Sequence, residues 1–504
     1  MMLNRQVQIS KVISGFYRKL IIGKLSTLNL ILLFLPIAII IAMAIAFGGF
    51  IAAGAILAIA IGIPLVLAII AYPIFGIAVF MFLSFFLNYL SEPLPPATPT
   101  GIILDVMTYL LIFGFLLKFK FDKDWSYFKT PISYWILVWL AYNFFEAINP
   151  ASPSILAWVY TVRTVAFIML MYFIFVYQIR TRATIKFLFK LWLLLALLSA
   201  ISGFQQENFG LLPMEKTWYY QDPVRLSFLY INGHLRKVAI YPDPVTFAYN
   251  MVVAALLCLC LIFTKIKTYK KVLLGLAIMF FFLVMLYSGT RGAFVLPPAA
   301  LALLAVMNYN KKVLITVGAA GLVLAGLIFM PTSNQFIKRF QTAFRPSDDA
   351  SFNVRAENQR RIKPYILAHP IGGGLGSVGI WGRRFAPNSF LAKFPPDSGY
   401  VRVAVEMGYV GLILFCTLMF VILKTGINNY FLIQDPELKM YCLAMVLIIF
   451  VFNIGNYPQQ ALVQYPSNIL FYLACALLNV TLRLDKQERE KNSSTQSIIP
   501  ANAG

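Results

Sequence analysis

The chain has 504 residues, 60% hydrophobic and only 12% charged, with a mean hydropathy of +0.78 and a formal net charge of +23. A soluble domain carries about 25% charged residues, so this composition leaves too little polar surface for water on all sides. The basic excess gives no case for nucleic acid, because no basic stripe with interleaved aromatics occurs; in a membrane protein it points to cytoplasmic loops and anionic headgroups.

Residues 1–27 carry Arg5, Lys11, Arg18, Lys19 and Lys24 ahead of the first apolar block. No small-residue cleavage site follows, so this is read as a cytoplasmic segment before a retained start-transfer helix. Residues 25–91 then contain no charged side chain. About 20 apolar residues cross a bilayer, and in lipid the backbone must pair within helices, so this stretch holds three passes. The apolar runs predict spans at 28–47, 50–70, 73–90, 101–118, 131–147, 162–179, 185–204, 244–264, 270–287, 292–307, 312–330, 400–423, 439–454 and 461–481. Charged residues near the midplane of these spans are few or absent.

The short loops test the orientation. Lys118, Lys120, Lys123 and Lys129, then Arg180, Arg182 and Lys186, then Lys265, Lys267, Lys270 and Lys271, then Lys311 and Lys312 fall on alternate loops. The intervening loops 91–100 and 148–161 have neither lysine nor arginine. By the positive-inside rule both termini are cytoplasmic and the span number is even, about 14, or about 12 if an early hairpin is re-entrant. The fold class is therefore an all-α polytopic membrane protein. It divides into a bundle over 28–330 with an outer loop at 205–243, a long periplasmic loop at 331–399, helices over 400–481 and a cytoplasmic, disordered tail over 482–504. No repeat of fixed period is visible.

The polar exceptions all fall on the outer side of this topology. YSGTRGAF, residues 287–294, puts Arg291 at a membrane boundary, where it either snorkels or meets a ligand. Guanidinium offers a planar fork matching phosphate oxygens, and Gly289 and Gly292 allow close approach. In 331–402 a basic excess includes Arg345, Arg355, Arg360, Arg361, Lys363, Arg383, Arg384, Lys393 and Arg402 against Asp348, Asp349, Glu357 and Asp397. Within it, Lys363-Pro364 is expected to kink or restart a helix and His369-Pro370 to end it. Gly372, Gly373, Gly374, Gly376 and Gly379 follow, and their amides could cradle phosphate, although a flexible turn accounts for them equally.

Residues 395–411, PPDSGYVRVAVEMGYVG, lead back into the membrane. Asp397 or Ser398 can cap that helix. Arg402 and Glu406 can pair at i, i+4, or a carboxylate there can serve as general base. In residues 236–250, RKVAIYPDPVTFAYN, Arg236 and Asp243 approach the same face, where Pro242 and Pro244 also explain an ordinary turn. All five cysteines (Cys258, Cys260, Cys416, Cys442 and Cys475) lie in apolar runs and the only histidines are His234 and His369. That inventory offers no zinc site and no thiol nucleophile.

The order of these pieces resembles the O-antigen ligase and polymerase superfamily: SGTRGAF, a long outer loop, HPIGGGLGS, and a polar pair leading into SGYVRVAVEMGYVGLILF. The motifs cover residues 230–415, and the architecture covers the whole chain. The resemblance implies a GT-C-type glycosyltransferase of the bacterial inner membrane. Such an enzyme moves a glycan from undecaprenyl pyrophosphate to a glycan or lipid A-core-type acceptor at the outer leaflet, with no metal and no cofactor. On this reading Arg291 and Arg355 bind pyrophosphate, with Arg236 and Arg402 beside them. Gly373, Gly374 and Gly376 supply loop backbone, and Asp397, with Glu406, works on the acceptor. Asp397-Ser398 stands where ligases carry His-Asn, so polymerase and ligase both remain open. A transporter or flippase of lipid-linked glycan is the alternative of another class; it would place charges near the bilayer midplane.

Overall fold

The computed structural model describes residues 27–94, 100–231, 233–333, 335–344 and 350–496. The basic N-terminal segment, Arg345, Asp348, Asp349 and residues 497–504 lie outside the described residues. The chain divides into two units, residues 1–68 and 69–504.

The first unit contains most of α1 (Thr27–Ala71), which joins the first two predicted spans and is broken at Gly49 (φ 57°, ψ −146°). A positive φ is open to glycine at little cost, so the Gly48-Gly49 pair marks the break.

The second unit continues with α2 (Pro73–Ser91), α3 (Gly101–Asp122), α4 (Pro131–Phe145), α5 (Ile155–Val165), α6 (Leu170–Gln178) and α7 (Arg182–Asn208). The expected outer loop at 205–243 is built: α8 (Pro213–Gln221), α9 (Pro223–Leu229) and an antiparallel hairpin of β1 (Tyr230–Ile231) and β2 (His234–Leu235) fill it. Then come α10 (Pro244–Ile262), α11 (Thr268–Tyr287), α12 (Arg291–Phe294), α13 (Leu296–Met307), α14 (Lys311–Phe329) and α15 (Gln335–Thr342). The last are α16 (Ala350–Ala368), α17 (Gly379–Phe385), α18 (Gly399–Leu432), α19 (Pro436–Gly455) and α20 (Ser467–Gln496).

Ten described helices are long and apolar enough to cross a membrane, which makes this a multi-pass, all-α membrane protein. Their starts are written in the sequence: Thr130, Asp243 and Asp435 each cap a helix whose first residue is proline. A short polar side chain satisfies an orphan amide there, and proline has no amide to satisfy.

Of the two readings of Lys363-Pro364 the restart is not the one found, since Pro364 lies inside a continuous α16. Two expectations need correction. The last span begins at Ser467 and not 461, because residues 461–466 form a turn. Residues 482–496, expected as disordered tail, continue α20; Arg489 pairs with Asp485 at 2.9 Å and Glu488 with Arg182 of α7, which extends the helix beyond its apolar part.

Burial separates centre from rim. In α10 and α19, 78% of the most apolar window is buried, and in α20 83%, against 17% in α11 and 6% in α14. A helix apolar all round belongs inside a bundle, and α10 packs on α11, α19 and α13 while α18 packs on α4, α19 and α20. Asp105 of α3 and Arg163 of α5, both inside membrane-spanning helices, pair with each other.

Candidate active site

The N-terminus of α18 is stitched to the turn that follows α19. The Gly399 amide donates to the Asn456 carbonyl at 2.9 Å and to the Gln459 carbonyl at 3.3 Å. A Cβ at position 399 would lie 2.2 Å from Asn456 Oδ1, so the approach requires glycine. Ser398 is the cap, its side chain accepting from the Val401 amide at 3.4 Å. Of the two capping candidates in the sequence, Asp397 is therefore not the one that caps.

Two turns further on, α18 is interrupted at Gly408 (φ 68°, ψ −174°). An interrupted helix leaves carbonyls without intrahelical partners, and buried carbonyls must find others. Here the Val405 carbonyl accepts from the Gly373 amide (2.9 Å), the Glu406 carbonyl from the Gly374 amide (2.8 Å) and the Met407 carbonyl from the Tyr142 hydroxyl (2.8 Å). In return Val410 donates to the Pro370 carbonyl at 3.2 Å. The HPIGGG loop is thus a plug in a broken helix. This corrects the expected phosphate cradle, because the Gly373 and Gly374 amides are engaged by α18. Gly376 packs too tightly for a side chain, a Cβ there meeting the Ala157 carbonyl and Thr161 Oγ1 at 2.4 Å. His369 closes α16, with Nδ1 2.9 Å from the Tyr365 carbonyl and its ring stacked on Tyr365 at 4.0 Å.

Below this mouth lies a buried polar chain. Arg402 donates through Nε to Glu406 Oε2 at 3.1 Å and through Nη1 to Gln460 Oε1 at 2.7 Å. Gln460 Nε2 donates onward to the carbonyl of Pro396. The Arg402–Glu406 pair is the arrangement found, so Arg402 is turned inward and Glu406, 2% exposed, faces protein. Glu406 lines a cavity of about 40 Å³ together with Arg402, Gln460 and Asn456. That is room for a water or two. Across from it, Glu146 is fully buried, and Asn149 donates to both Glu146 Oε2 (2.7 Å) and the Ile371 carbonyl (3.0 Å), tying the plug to the end of α4.

Asp397 and Arg355 face each other electrostatically. Asp397 reaches solvent, but surrounding protein still pushes its carboxyl above the usual aspartate range by burial, and the Arg355 guanidinium pulls it back. Arg355 comes from α16 and is partly buried; its charge also acts on Tyr249 of α10. Tyr249 donates to the Gly455 carbonyl at 3.1 Å. A Cβ on Gly292 would lie 3.3 Å from Pro458 and 3.5 Å from the Tyr249 hydroxyl, so the SGTRGAF turn reaches the same spot. Arg291 opens α12 there and is partly buried.

Arg236 needs correction. Its Nε donates to the Ser288 carbonyl (2.8 Å), its Nη2 to Thr290 Oγ1 (3.0 Å) and its Nη1 to the Phe228 carbonyl (3.5 Å). It clamps the turn that carries Arg291, so its hydrogen bonds go to that turn and to the Phe228 carbonyl. Thr290 Oγ1 donates to the Pro244 carbonyl at 3.1 Å, and Asp243 caps α10 through the Val245 and Thr246 amides at 2.8 and 2.9 Å.

Sequence reasoning missed Gln460, Glu146, Asn149, Tyr142 and Tyr249. Only the gap between the predicted spans 439–454 and 461–481 hinted at the first. A larger cavity of about 520 Å³, lined by Phe115, Phe119, Trp125, Lys129 and Phe173 among others, shares no residue with this site. Among the described residues no group of three or more His, Cys, Asp or Glu side chains could hold a metal ion.

No curated protein matches the chain. Residues 274–416 match the family model described as O-antigen ligase, a stretch that runs from α11 through the SGTRGAF turn, the plug and Asp397 to the middle of α18. Over that stretch the chain is similar to the O-antigen ligase family.

Proposed function

We propose that the chain transfers a glycan from undecaprenyl pyrophosphate to an acceptor hydroxyl at the outer leaflet of the bacterial inner membrane. The observation that carries this reading is that the Arg355 charge acts on both Asp397 and Tyr249, while the Tyr249 hydroxyl lies beside Gly292 of the Arg291 turn. The similarity of residues 274–416 to the O-antigen ligase family supports the coarse chemistry of glycan transfer; the residues suggest how it runs. The acceptor O–H gives its proton to the Asp397 carboxylate as its oxygen bonds to the anomeric carbon. The bond from that carbon to the pyrophosphate oxygen breaks, and the electron pair leaves with undecaprenyl pyrophosphate. Arg291 and Arg355 stabilise the departing charge; donors of this kind are worth about 2.7–4 kcal/mol each. General base catalysis contributes roughly 10²–10⁴-fold.

The glycans of a deletion strain test the function. Repeat units made but not attached mean a ligase; single repeats where the parent has long chains mean a polymerase. Unchanged glycans sink the proposal. The orientation, with both termini cytoplasmic and 331–399 outside, rests on the lysine and arginine distribution over the short loops. Cysteines placed at Ser351 and Lys491 check it: an impermeant maleimide should label position 351 and not 491 in intact spheroplasts.

A further inference from the structure

We propose that Gln460 is a positioning residue for Asp397, holding the turn that carries it in register with the buried Arg402–Glu406 pair. The inference rests on the role assigned to Asp397 above. The turn at 395–399 has few holds of its own: the Asp397 amide donates to the Pro395 carbonyl at 3.0 Å, and Ser398 is occupied as a cap. What fixes the turn to the rest of the bundle comes from residues 456–460. The Asn456 and Gln459 carbonyls take the Gly399 amide on one side of Asp397, and the Gln460 side chain takes the Pro396 carbonyl on the other.

The chemistry of the amide makes this a directed device. Arginine has donors only, so the Gln460 atom facing Arg402 must be its oxygen, which turns the NH₂ toward Pro396, where a carbonyl waits. Arg402 is itself held by Glu406, a carboxylate 2% exposed that accepts from Arg402 Nε. A buried carboxylate needs its cation, so Glu406 fixes Arg402, Arg402 fixes the orientation of Gln460, and Gln460 fixes the carbonyl next to Asp397. None of the three has to touch substrate. Their spacing in sequence, 58 residues from Arg402 to Gln460 and 64 from Pro396 to Gln460, joins two segments that nothing local would hold together.

The test uses the full chain in lipid nanodiscs. Gln460→Glu keeps length and the bond from Arg402 but places a carboxylate oxygen against the Pro396 carbonyl; Gln460→Met keeps length and removes both bonds. Two readouts are taken: hydrogen exchange of the amides of residues 397–402 and steady-state transfer. The expected result is at least a tenfold rise in exchange there, with a tenfold or larger fall in kcat, little change in KM for the lipid-linked donor, and an unchanged Tm. In an Asp397→Asn background the Gln460 substitutions should lower the residual rate no further, since coupled residues are not additive. Wild-type exchange in both variants overturns the proposal, and so do losses that add in full to that of Asp397→Asn. Full activity of Asp397→Asn alone overturns the assignment of Asp397 as base, while the exchange of residues 397–402 still decides whether Gln460 holds the turn. Should Gln460→Glu express poorly, Gln460→Met is read by the same criteria.

Discussion

Arg236 and Arg355 converge on the same end of the bundle, both come from segments rich in polar residues, and they do opposite work. Arg236 has its guanidinium threaded into backbone, with the Ser288 and Phe228 carbonyls and Thr290 Oγ1 around it. Arg355 stands on a helix opposite a carboxylate and a tyrosine. The sequence neighbourhood of an arginine does not separate these cases. What separates them is whether nearby turns leave carbonyls that need donors, as the Tyr287–Arg291 turn does with Gly289 at φ 59°. The first arginine builds a site; the second is available to work in one.

The sharpest way to break the comparison is at the acid facing Arg355. Asp397→Asn should lower transfer by roughly 10²–10⁴-fold, the usual contribution of a general base. Asparagine keeps the shape and cannot take a proton. Because Ser398 and not Asp397 caps α18, Tm should stay at the wild-type value. Full transfer by the asparagine variant would remove Asp397 from the chemistry and leave Arg355 without its purpose.

The two arginines themselves come next. Arg355→Ala should lower kcat by about 10²–10³-fold and also move the pH profile. Asp397 must be ionised to act, so activity falls as pH drops through its pKa. Burial sets that limb above the ordinary aspartate range and Arg355 opposes it; removing Arg355 therefore shifts the acidic limb to higher pH. Arg236→Ala should instead appear in stability. It leaves the buried Ser288 carbonyl and Thr290 short of a partner, a loss of about 1–3 kcal/mol, with the acidic limb unmoved. A pH–rate profile beside a melting curve for each variant distinguishes them; a shifted limb in Arg236→Ala with unchanged Tm would reverse the two roles.

The fold was legible where burial and helix starts are local matters. The apolar runs marked the helices, and those at 131 and 244 were placed to begin where α4 and α10 do. Of the candidate site, Asp397, Arg355 and the Arg291 turn were named from sequence, and their roles remain the proposal made above. What sequence could not show were partners at long separation. The Ser288 carbonyl lies 52 residues from Arg236 and the Pro396 carbonyl 64 from Gln460. The break at Gly408 was hidden for the same reason. EMGYVG reads as continuous helix until it is known that Gly373 and Gly374, far away in the chain, supply the amides for the carbonyls it strands. A glycine run that looked like a phosphate cradle was already committed to those carbonyls.

The smallest expected effect concerns the neighbour of the proposed base. Ser398→Ala removes the side-chain acceptor for the Val401 amide and should cost about 1 kcal/mol of stability. The helix start itself should survive, because the Gly399 amide remains bonded to the Asn456 and Gln459 carbonyls and Arg402 still donates its own amide to the Ser398 carbonyl at 2.9 Å. Transfer should accordingly fall no more than a few-fold, and the acidic limb set by Asp397 and Arg355 should not move. This small change is informative because the cap and the base are adjacent in sequence and were indistinguishable there. If Ser398→Ala lowered transfer as far as Asp397→Asn with Tm barely altered, the hydroxyl and not the carboxylate would be the group working on the acceptor. Arg355 would then be balancing a charge that the reaction does not use.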